Sequence, residues 1–507
     1  MNKKLLKALF ELHLISGRGL LRFSRCLFKE GISLMALLGF TKQYYGNRVA
    51  VSCEGEPITY HHLYRHSHLM ASYLYHHCHI TPDKRVAILY PNSIELLYCL
   101  FGLSYIGANI YLLNQDLSNE QLIDLIKQKK INFCISDAEK KNVFTCNHEL
   151  SVINIQSAKD YIYTDQSQKH KSIKRKMFGR GELIVLTGGT SGQYKSAARK
   201  PSVFNFLNPF FALIEQIGIH RYSSVYIAPP IYHGFGLAAV IVTLLMGKTI
   251  FLRYRFSAEA ACDLVYENAI PLLVAVPTMV RRMLECDINK LTSIQCILSG
   301  GAPLDQKLVR KTQEYLGEVL YNLYGTSEAG FFIMATPQDL NHYPLCVGRP
   351  IKGVKIRIAQ QDKNGTGLLQ VKSAWAMDQA HKAWQCTGDR AKINETGIIH
   401  LQGRADKMIV SGGENVYPED IERVLLSHHC IHEAIVLPVE IDDFGQRLHA
   451  FVVTDNPTVS DKEIIEWLKK RLARFQMPYR TSIVTELPTL STGKVAPQKL
   501  LSDQKDQ

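Results

Sequence analysis

The spacing of apolar positions changes along this chain, and the changes mark its elements. Near the start, Leu5, Leu9 and Leu12 recur at helical spacing, with Leu6 and Phe10 beside them and lysines between. Tyr60 to His79 reads largely as one helix whose Leu63, Leu69 and Leu74 repeat towards a core. From Ile58 onward, helical patterns alternate with short continuous apolar runs: RVAILY (Arg85–Tyr90), FCISD (Phe133–Asp137), LIVL (Leu183–Leu186), SVYIAPP (Ser224–Pro230), PLLVAVP (Pro271–Pro277) and CILSGG (Cys296–Gly301). Such alternation predicts α/β layers with mostly parallel sheets. After about Gly353 the pattern becomes VKIRIA and LLQVKS, alternating and broken by turn residues, which predicts antiparallel strands in a β-rich part. From Arg404 a helix–strand mixture follows, long enough for a small α+β domain. The expected division is a basic amphipathic segment at 1–45, a large domain at 46–403 and a small one at 404–507.

Composition and charge narrow the picture. The chain has 507 residues, too many for one core, and 46% apolar against 21% charged residues mark it as globular. None of its twelve cysteines forms a CxxC pair, so free thiols in a cytoplasmic setting are expected. Histidines cluster in YHHLYRHSHL, HHCH and HHCIH, but without paired ligand spacings they read as solvated or core residues. The net charge of +13 is uneven. The first thirty residues carry Lys3, Lys4, Lys7, Arg18, Arg22, Arg25 and Lys29 against Glu11 and Glu30. A basic amphipathic helix of this kind lies either on an anionic membrane surface, making the protein peripheral, or on the protein's own core, and its pattern suits both. Glu11 and His13 interrupt the apolar stretch and argue against a signal peptide. A second basic run, Lys169 to Arg180, reads as a solvated linker, and the tail SDQKDQ as disordered. No nucleic-acid motif accompanies either basic cluster, so nucleic acid is not an expected partner.

The candidate chemistry gathers where strands end. LIVLTGGTSGQYKSAARK (Leu183–Lys200) passes from an apolar run into Thr187, Gly188, Gly189, Thr190, Ser191 and Gly192, then Lys195. Glycines allow close backbone approach, hydroxyls add donors and the lysine adds charge, an inventory suited to a polyphosphate. Gln193 and Tyr194 separate the last glycine from the lysine, so this is not a Walker loop. After SVYIAPP comes His233, after CILSGG come Ala302 and Pro303, and after EVLYNLYG come Thr326, Ser327, Glu328, Ala329 and Gly330. Ligands of open α/β sheets bind beyond the carboxyl ends of strands, so these segments could share one cleft. There Tyr324 could stack on a base, Ser327 bond phosphate and Glu328 hold Mg²⁺.

TGGTSGQYK, PPIYHGFG, SGGAP, YGTSEAG, TGD, GRADKMIVSGGENVYPEDIE and LPTLSTGKV follow one another in this chain from about Ile58 to Leu500. In that order they resemble the adenylate-forming, AMP-binding acyl-CoA synthetase family, with wording most similar to bacterial long-chain fatty-acid:CoA ligases. The resemblance implies a large AMP-binding domain with a small hinged carboxyl-terminal domain, and ATP, Mg²⁺ and CoA as the molecules used. It implies that the glycine loop holds the β- and γ-phosphates. It places Tyr324 against adenine, Gly301, Ala302 and Pro303 as the other wall, Gly325 and Thr326 beside the nucleotide, and Ser327 at the α-phosphate. Glu328 would bind Mg²⁺, Asp389 the ribose hydroxyls with help from Arg404, and His233 would border the acyl pocket. Asp406 matches the hinge, Lys494 the catalytic lysine, and Gly330, Gly412 and Gly413 the acyl and thiol channel. The activity implied is conversion of a carboxylic acid, a medium- or long-chain fatty acid, to acyl-AMP and then to its CoA thioester. Transfer to a carrier-protein thiol, or a non-catalytic membrane-associated nucleotide scaffold, are the alternatives. Amino-acid activation is disfavoured, because members with that activity commonly place an aspartate near YHGFG. The chain departs from the family at Tyr194, where a proline is usual, at Trp384-Gln385-Cys386 before TGD, and at Pro497.

Overall fold

The computed structural model describes residues 3–115, 117, 119–137, 150–164, 173, 181–188, 194–199, 207–326, 330–373, 384–405, 409–411, 414–441, 445–472, 476–490 and 495–502. The basic run at 169–180 and the tail at 503–507 therefore lie outside the described residues, Ile173 excepted. Two compact units divide the chain: one contains Met1–Gly301 and Gly325–Phe331, the other Ala302–Tyr324, Phe332–Ser373 and the residues from 379 onward.

The first unit opens with three helices, α1 (Lys3–Glu11), α2 (Gly17–Glu30) and α3 (Leu34–Tyr45). Two sets of strands follow. β1 (Val49–Cys53), β2 (Glu56–Thr59), β9 (Ser224–Ile227), β10 (Thr249–Leu252), β11 (Leu272–Ala275) and β12 (Cys296–Gly300) run in the order β12-β11-β9-β10-β1-β2, parallel but for the antiparallel edge strand β2. A second sheet orders β3 (Arg85–Leu89), β4 (Asn109–Leu112), β5 (Phe133–Ser136), β6 (Ser151–Asn154), β7 (Leu183–Gly188) and β8 (Tyr194–Arg199) as β6-β5-β3-β4-β7-β8. It is parallel except where β7 meets β8. The continuous apolar runs become strands that are buried throughout or nearly so, as parallel sheets covered on both faces require.

Helix α4 (Tyr60–His76) buries Leu63, Leu69 and Leu74, as its pattern predicts. It packs on α5 (Ile94–Ile106), which also touches β1 of one sheet and β4 of the other. Apolar on nearly every side, α5 suits a layer between two sheets. The approach of α4 to α5 depends on Gly102: a Cβ there would stand 3.1 Å from both Ala71 N and Ser67 O.

The second unit contains β13 (Leu320–Thr326) up to Tyr324, β14 (Gly330–Ala335) from Phe332, and β15 (Cys346–Pro350). An antiparallel meander follows, β16 (Val354–Ala359), β17 (Gly367–Ser373), β18 (Gln385–Ile393) and β19 (Ile399–Arg404). β17 alternates buried and half-buried positions, the period-two pattern expected after Gly353. After the short pair β20 (Ile409–Ser411) and β21 (Glu414–Val416), three strands β22 (Ile431–Ile441), β23 (Gly445–Thr454) and β24 (Arg480–Val484) pair in that order. Ile421, Leu425, Ile464 and Leu468 of two helices bury against Val436, Leu448, Ala450 and Val452 of this sheet. All the described cysteines are free thiols. Among the described residues no helix is long and apolar enough to cross a membrane.

Candidate active site

In the first unit the glycine-rich stretch is a β-hairpin. β7 and β8 pair antiparallel with Thr187 opposite Lys195 and Gly188 opposite Tyr194. The register that brings Lys195 level with Thr187 is set by β8, a strand the sequence pattern did not reveal. Gly189, Thr190, Ser191 and Gly192, between the two strands, lie outside the described residues.

Beyond β9 the chain turns at Pro229–Tyr232 and starts the helix Gly234–Leu245, with His233 at its N-cap. The turn is held from a distance by Asn92, which is buried. Its Nδ2 donates to Pro229 O at 3.3 Å, and its Oδ1 accepts from Ile231 N at 2.8 Å. Tyr232 is buried and lies 4.5 Å from the half-buried His233 ring, centroid to centroid. Gly236 lets the first helical turn close on this loop, since a Cβ there would meet Pro230 O at 2.4 Å. At the end of β12, Gly301 is exposed with φ +82°, a backbone state that favours glycine, and a Cβ would find only Val276 nearby. Gly325 faces Gly330 so closely that a Cβ would come 2.3 Å from the Gly330 carbonyl oxygen. Thr326 is half-buried at the end of β13.

The second unit assembles three of the expected nucleotide residues. Tyr324 on β13 donates its hydroxyl to Asp389 of β18, 65 residues away. Arg404 pairs with Asp389 in the β18–β19 register, with its Nη1 3.6 Å from Asp389 Oδ1 and donating to Thr387 O at 3.2 Å. Thr387 Oγ1 in turn accepts from Asp389 N at 3.1 Å. Burial first, and then the Asp389 carboxylate, hold the Tyr324 hydroxyl well above the ordinary tyrosine pKa, so it stays a donor. Asp389 thus keeps a fixed orientation, and a carboxylate so held is a suitable acceptor for a vicinal diol. Gly388 has φ +81°, and a Cβ there would lie 2.8 Å from the Arg404 guanidinium, so the glycine of TGD makes room for the arginine. Ala302 is half-buried and Pro303 exposed, both in this unit.

Ser327, Glu328, Asp406, Gly412, Gly413 and Lys494 lie outside the described residues, as does the tip of the glycine hairpin. Sequence reading missed Asn92, which nothing in its neighbourhood distinguishes, and Arg390. The latter donates to the Tyr417 hydroxyl, lies 5.0 Å over the Tyr417 ring and pairs with Asp362 at 2.9 Å. Its place directly after TGD and that of Tyr417 within GGENVYPED were the available signals. His428, His429 and Cys430 bring potential ligand atoms within 4.8 Å of one another. The three are consecutive, and His428 Nδ1 already accepts from Cys430 N at 3.2 Å, so the grouping is that of a local turn.

A model of the AMP-binding enzyme family matches residues 40–378, and one of the AMP-binding enzyme C-terminal domain matches residues 420–494. The 2-succinylbenzoate–CoA ligase of Bacillus subtilis is 26% identical over 474 residues, covering 89% of this chain and 94% of its own length. That of Staphylococcus aureus strain Newman is 26% identical over 491 residues, with 90% and 98% covered. The solved o-succinylbenzoate CoA synthetase from Bacillus subtilis with the acyl-adenylate intermediate OSB-AMP has a TM-score of 0.79 at 25% identity, covering 92% of this chain and 97% of its own. The same enzyme with ATP and magnesium ion scores 0.78 at 25% identity, with 92% and 99% covered. The shared fold is a large amino-terminal α/β domain with several sheets and a small carboxyl-terminal domain. With the AMP-binding enzyme model matching residues 40–378, well over half of its length, this chain belongs to the AMP-binding enzyme family.

Proposed function

We propose that this protein is an AMP-forming acid–thiol ligase that uses ATP, Mg²⁺ and CoA to convert a carboxylic acid, a medium- or long-chain fatty acid, to its CoA thioester. The observation that carries the reading is the Asp389 carboxylate held between Tyr324 and Arg404. In the first step a carboxylate oxygen attacks the α-phosphorus of ATP, the bond to the β-phosphate breaks, and acyl-AMP and pyrophosphate form. Two anions must approach each other, so positive charge and donors aimed at the α-phosphate lower the barrier. Lys494 supplies that charge by bridging the carboxylate and the α-phosphate. Ser327 touches the α-phosphate, and the hairpin of Thr187, Gly188 and Lys195 with residues 189–192 holds the outer phosphates. Asp389 accepts the ribose hydroxyls and Tyr324 packs against adenine, with Gly301, Ala302 and Pro303 on the other side and Gly325 and Thr326 adjoining. Glu328 supplies a hard oxygen ligand for Mg²⁺, which neutralises phosphate charge when bound. In the second step the CoA sulfur attacks the acyl carbon, the acyl–phosphate bond breaks, and AMP leaves as the thiol proton is lost. Lys494 has no part in that step, so the domain at 404–507 can turn about Asp406 between the two. Gly330, Gly412 and Gly413 border the thiol and acyl channel.

An apolar acid is supported by the helix that follows His233, GFGLAAVIVTLL, which carries no charged side chain. The names of the relatives support a second reading, an aromatic acid such as 2-succinylbenzoate. A carrier-protein thiol stands as the alternative acceptor to CoA, since both present the same arm. Pyrophosphate release over a panel of fatty acids and 2-succinylbenzoate, with and without CoA, tests all of this. Turnover of 2-succinylbenzoate well above every fatty acid overturns the acyl assignment and leaves the ligase; no release with any acid overturns the ligase.

A further inference from the structure

Seven of the fifteen large apolar side chains that stand exposed among the described residues fall within residues 6–32, so they are concentrated in one segment of the chain. Helix α1 buries Leu5, Ala8 and Leu9, with Leu12 buried just after it, packs on the π-helical turn Leu213–Ile217, and leaves Leu6 and Phe10 outside, the latter 63% exposed. Helix α2 is more one-sided. Its buried residues are Gly19, Cys26 and Glu30, while Leu20, Leu21 and Phe28 are 53%, 65% and 73% exposed. Arg18, Leu21, Arg25 and Phe28 follow one another at spacings of three and four along one exposed stripe.

The inner face of α2 prevents the helix from rolling to hide that stripe. Glu30, 1% exposed, accepts the Tyr64 hydroxyl at 2.6 Å and pairs with His68 Nε2 at 3.2 Å. Gln43 donates to Cys26 Sγ at 2.9 Å, and Phe23 meets Phe40 edge-on at 5.5 Å. At the amino-terminal end Gly19 lies against His13, where a Cβ would sit 1.7 Å from the carbonyl oxygen. The outward apolar row is therefore a consequence of a specifically pinned helix.

Lys3, Lys7, Arg18, Arg25 and Lys29 are exposed on the same two helices. Of the two carboxylates in this segment, Glu30 is buried and Glu11 lies 3.9 Å from Lys7. Apolar side chains interleaved with basic ones on helix faces match a helix lying in the headgroup region of a bilayer. A protein partner fits less well, since interface cores are depleted of lysine, and a second copy would set one basic face against another.

We propose that the outer face of α1 and α2 docks on an anionic lipid bilayer, with Phe10, Leu21 and Phe28 entering the headgroup–acyl boundary and Arg18 and Arg25 pairing with lipid phosphates. This holds apart from the ligase chemistry. The test is sedimentation of the full-length protein with vesicles of phosphatidylcholine alone and of phosphatidylcholine mixed with phosphatidylglycerol, at low and high salt. Binding is expected to be at least about tenfold tighter to the anionic vesicles and to weaken with salt. Arg18→Glu with Arg25→Glu should weaken it by at least roughly 25-fold, about fivefold for each basic group lost. Leu21→Ser with Phe28→Ser should weaken it by roughly a hundredfold, about tenfold for each apolar side chain left in water. Circular dichroism and pyrophosphate release with a short-chain acid should not change in either double variant. Absence of vesicle binding, equal binding to both vesicle types, or an unaffected arginine variant would overturn the proposal. So would a dimer, seen by sedimentation velocity without vesicles, that Leu21→Ser with Phe28→Ser disperses.

Discussion

Lys494 and Asp389 carry different parts of the proposed reaction, and single substitutions separate them. An ammonium bridging carboxylate and α-phosphate acts on charge that develops only during adenylation. Lys494→Ala should slow acyl-AMP formation by roughly 10²–10³ yet convert supplied acyl-AMP and CoA at near the parental rate. Equal losses in the two half-reaction assays, with folding intact, would remove the lysine from its role. At Asp389 the carboxylate already has Tyr324 and Arg404 as partners, so Asp389→Asn keeps the shape and loses the charge. Hydrogen bonds to a charged acceptor are worth about 1.5–3 kcal/mol, so KM for ATP should rise roughly 10- to 100-fold. KM for the acid should change far less, and a comparable rise in both would place Asp389 elsewhere in the mechanism. TGD was legible as a motif. Its connection to Tyr324 across 65 residues was visible only in the fold.

Elements were legible where their pattern is strong. The six apolar runs became β3, β5, β7, β9, β11 and β12, the helix from Tyr60 ended at His76, and the segment after Gly353 proved antiparallel. The amino-terminal helix had two readings, a membrane surface or the protein's own core. The structure docks one face of α1 on the fold and leaves apolar and basic side chains of both α1 and α2 outside. β8 was missed because YKSAAR has no apolar alternation and is a strand by virtue of pairing with β7. Asn92 was missed for a similar reason: its partners Pro229 and Ile231 are far off in sequence. Because it supplies both a donor and an acceptor to the turn before His233, Asn92→Ala should cost about 1–3 kcal/mol of stability. It should also raise KM for the acid more than KM for ATP, and an unchanged melting curve in denaturant would show that the turn holds without it.

On the scale of the whole molecule, buried neutral histidines tie stability to pH. His66 and His449 are both buried, and burial is the main reason each is lowered from 6.5 to about 4. Between those values the unfolded chain carries protons that the folded chain does not, so stability is full above about pH 6.5 and is lost as pH falls towards 4. The slope approaches about 1.4 kcal/mol per pH unit for each such group. His449→Gln, which can still bond Ser482, should flatten the fall of the melting temperature between pH 6.5 and 4; a parallel curve would assign the acid loss to other groups. The sequence by itself determined the alternation of strands and helices, the change to antiparallel strands, and the ordered motifs that point to adenylate chemistry. The first two rest on period and turn residues, which neighbours along the chain specify, and the third on the resemblance of the motifs and their order to a known family. Tertiary structure alone decided that Tyr324, Asp389 and Arg404 meet, that Asn92 braces a turn 139 residues away, and which side of α2 faces outward. An amphipathic pattern states that two faces differ, but which surface remains uncovered depends on what the rest of the chain packs against.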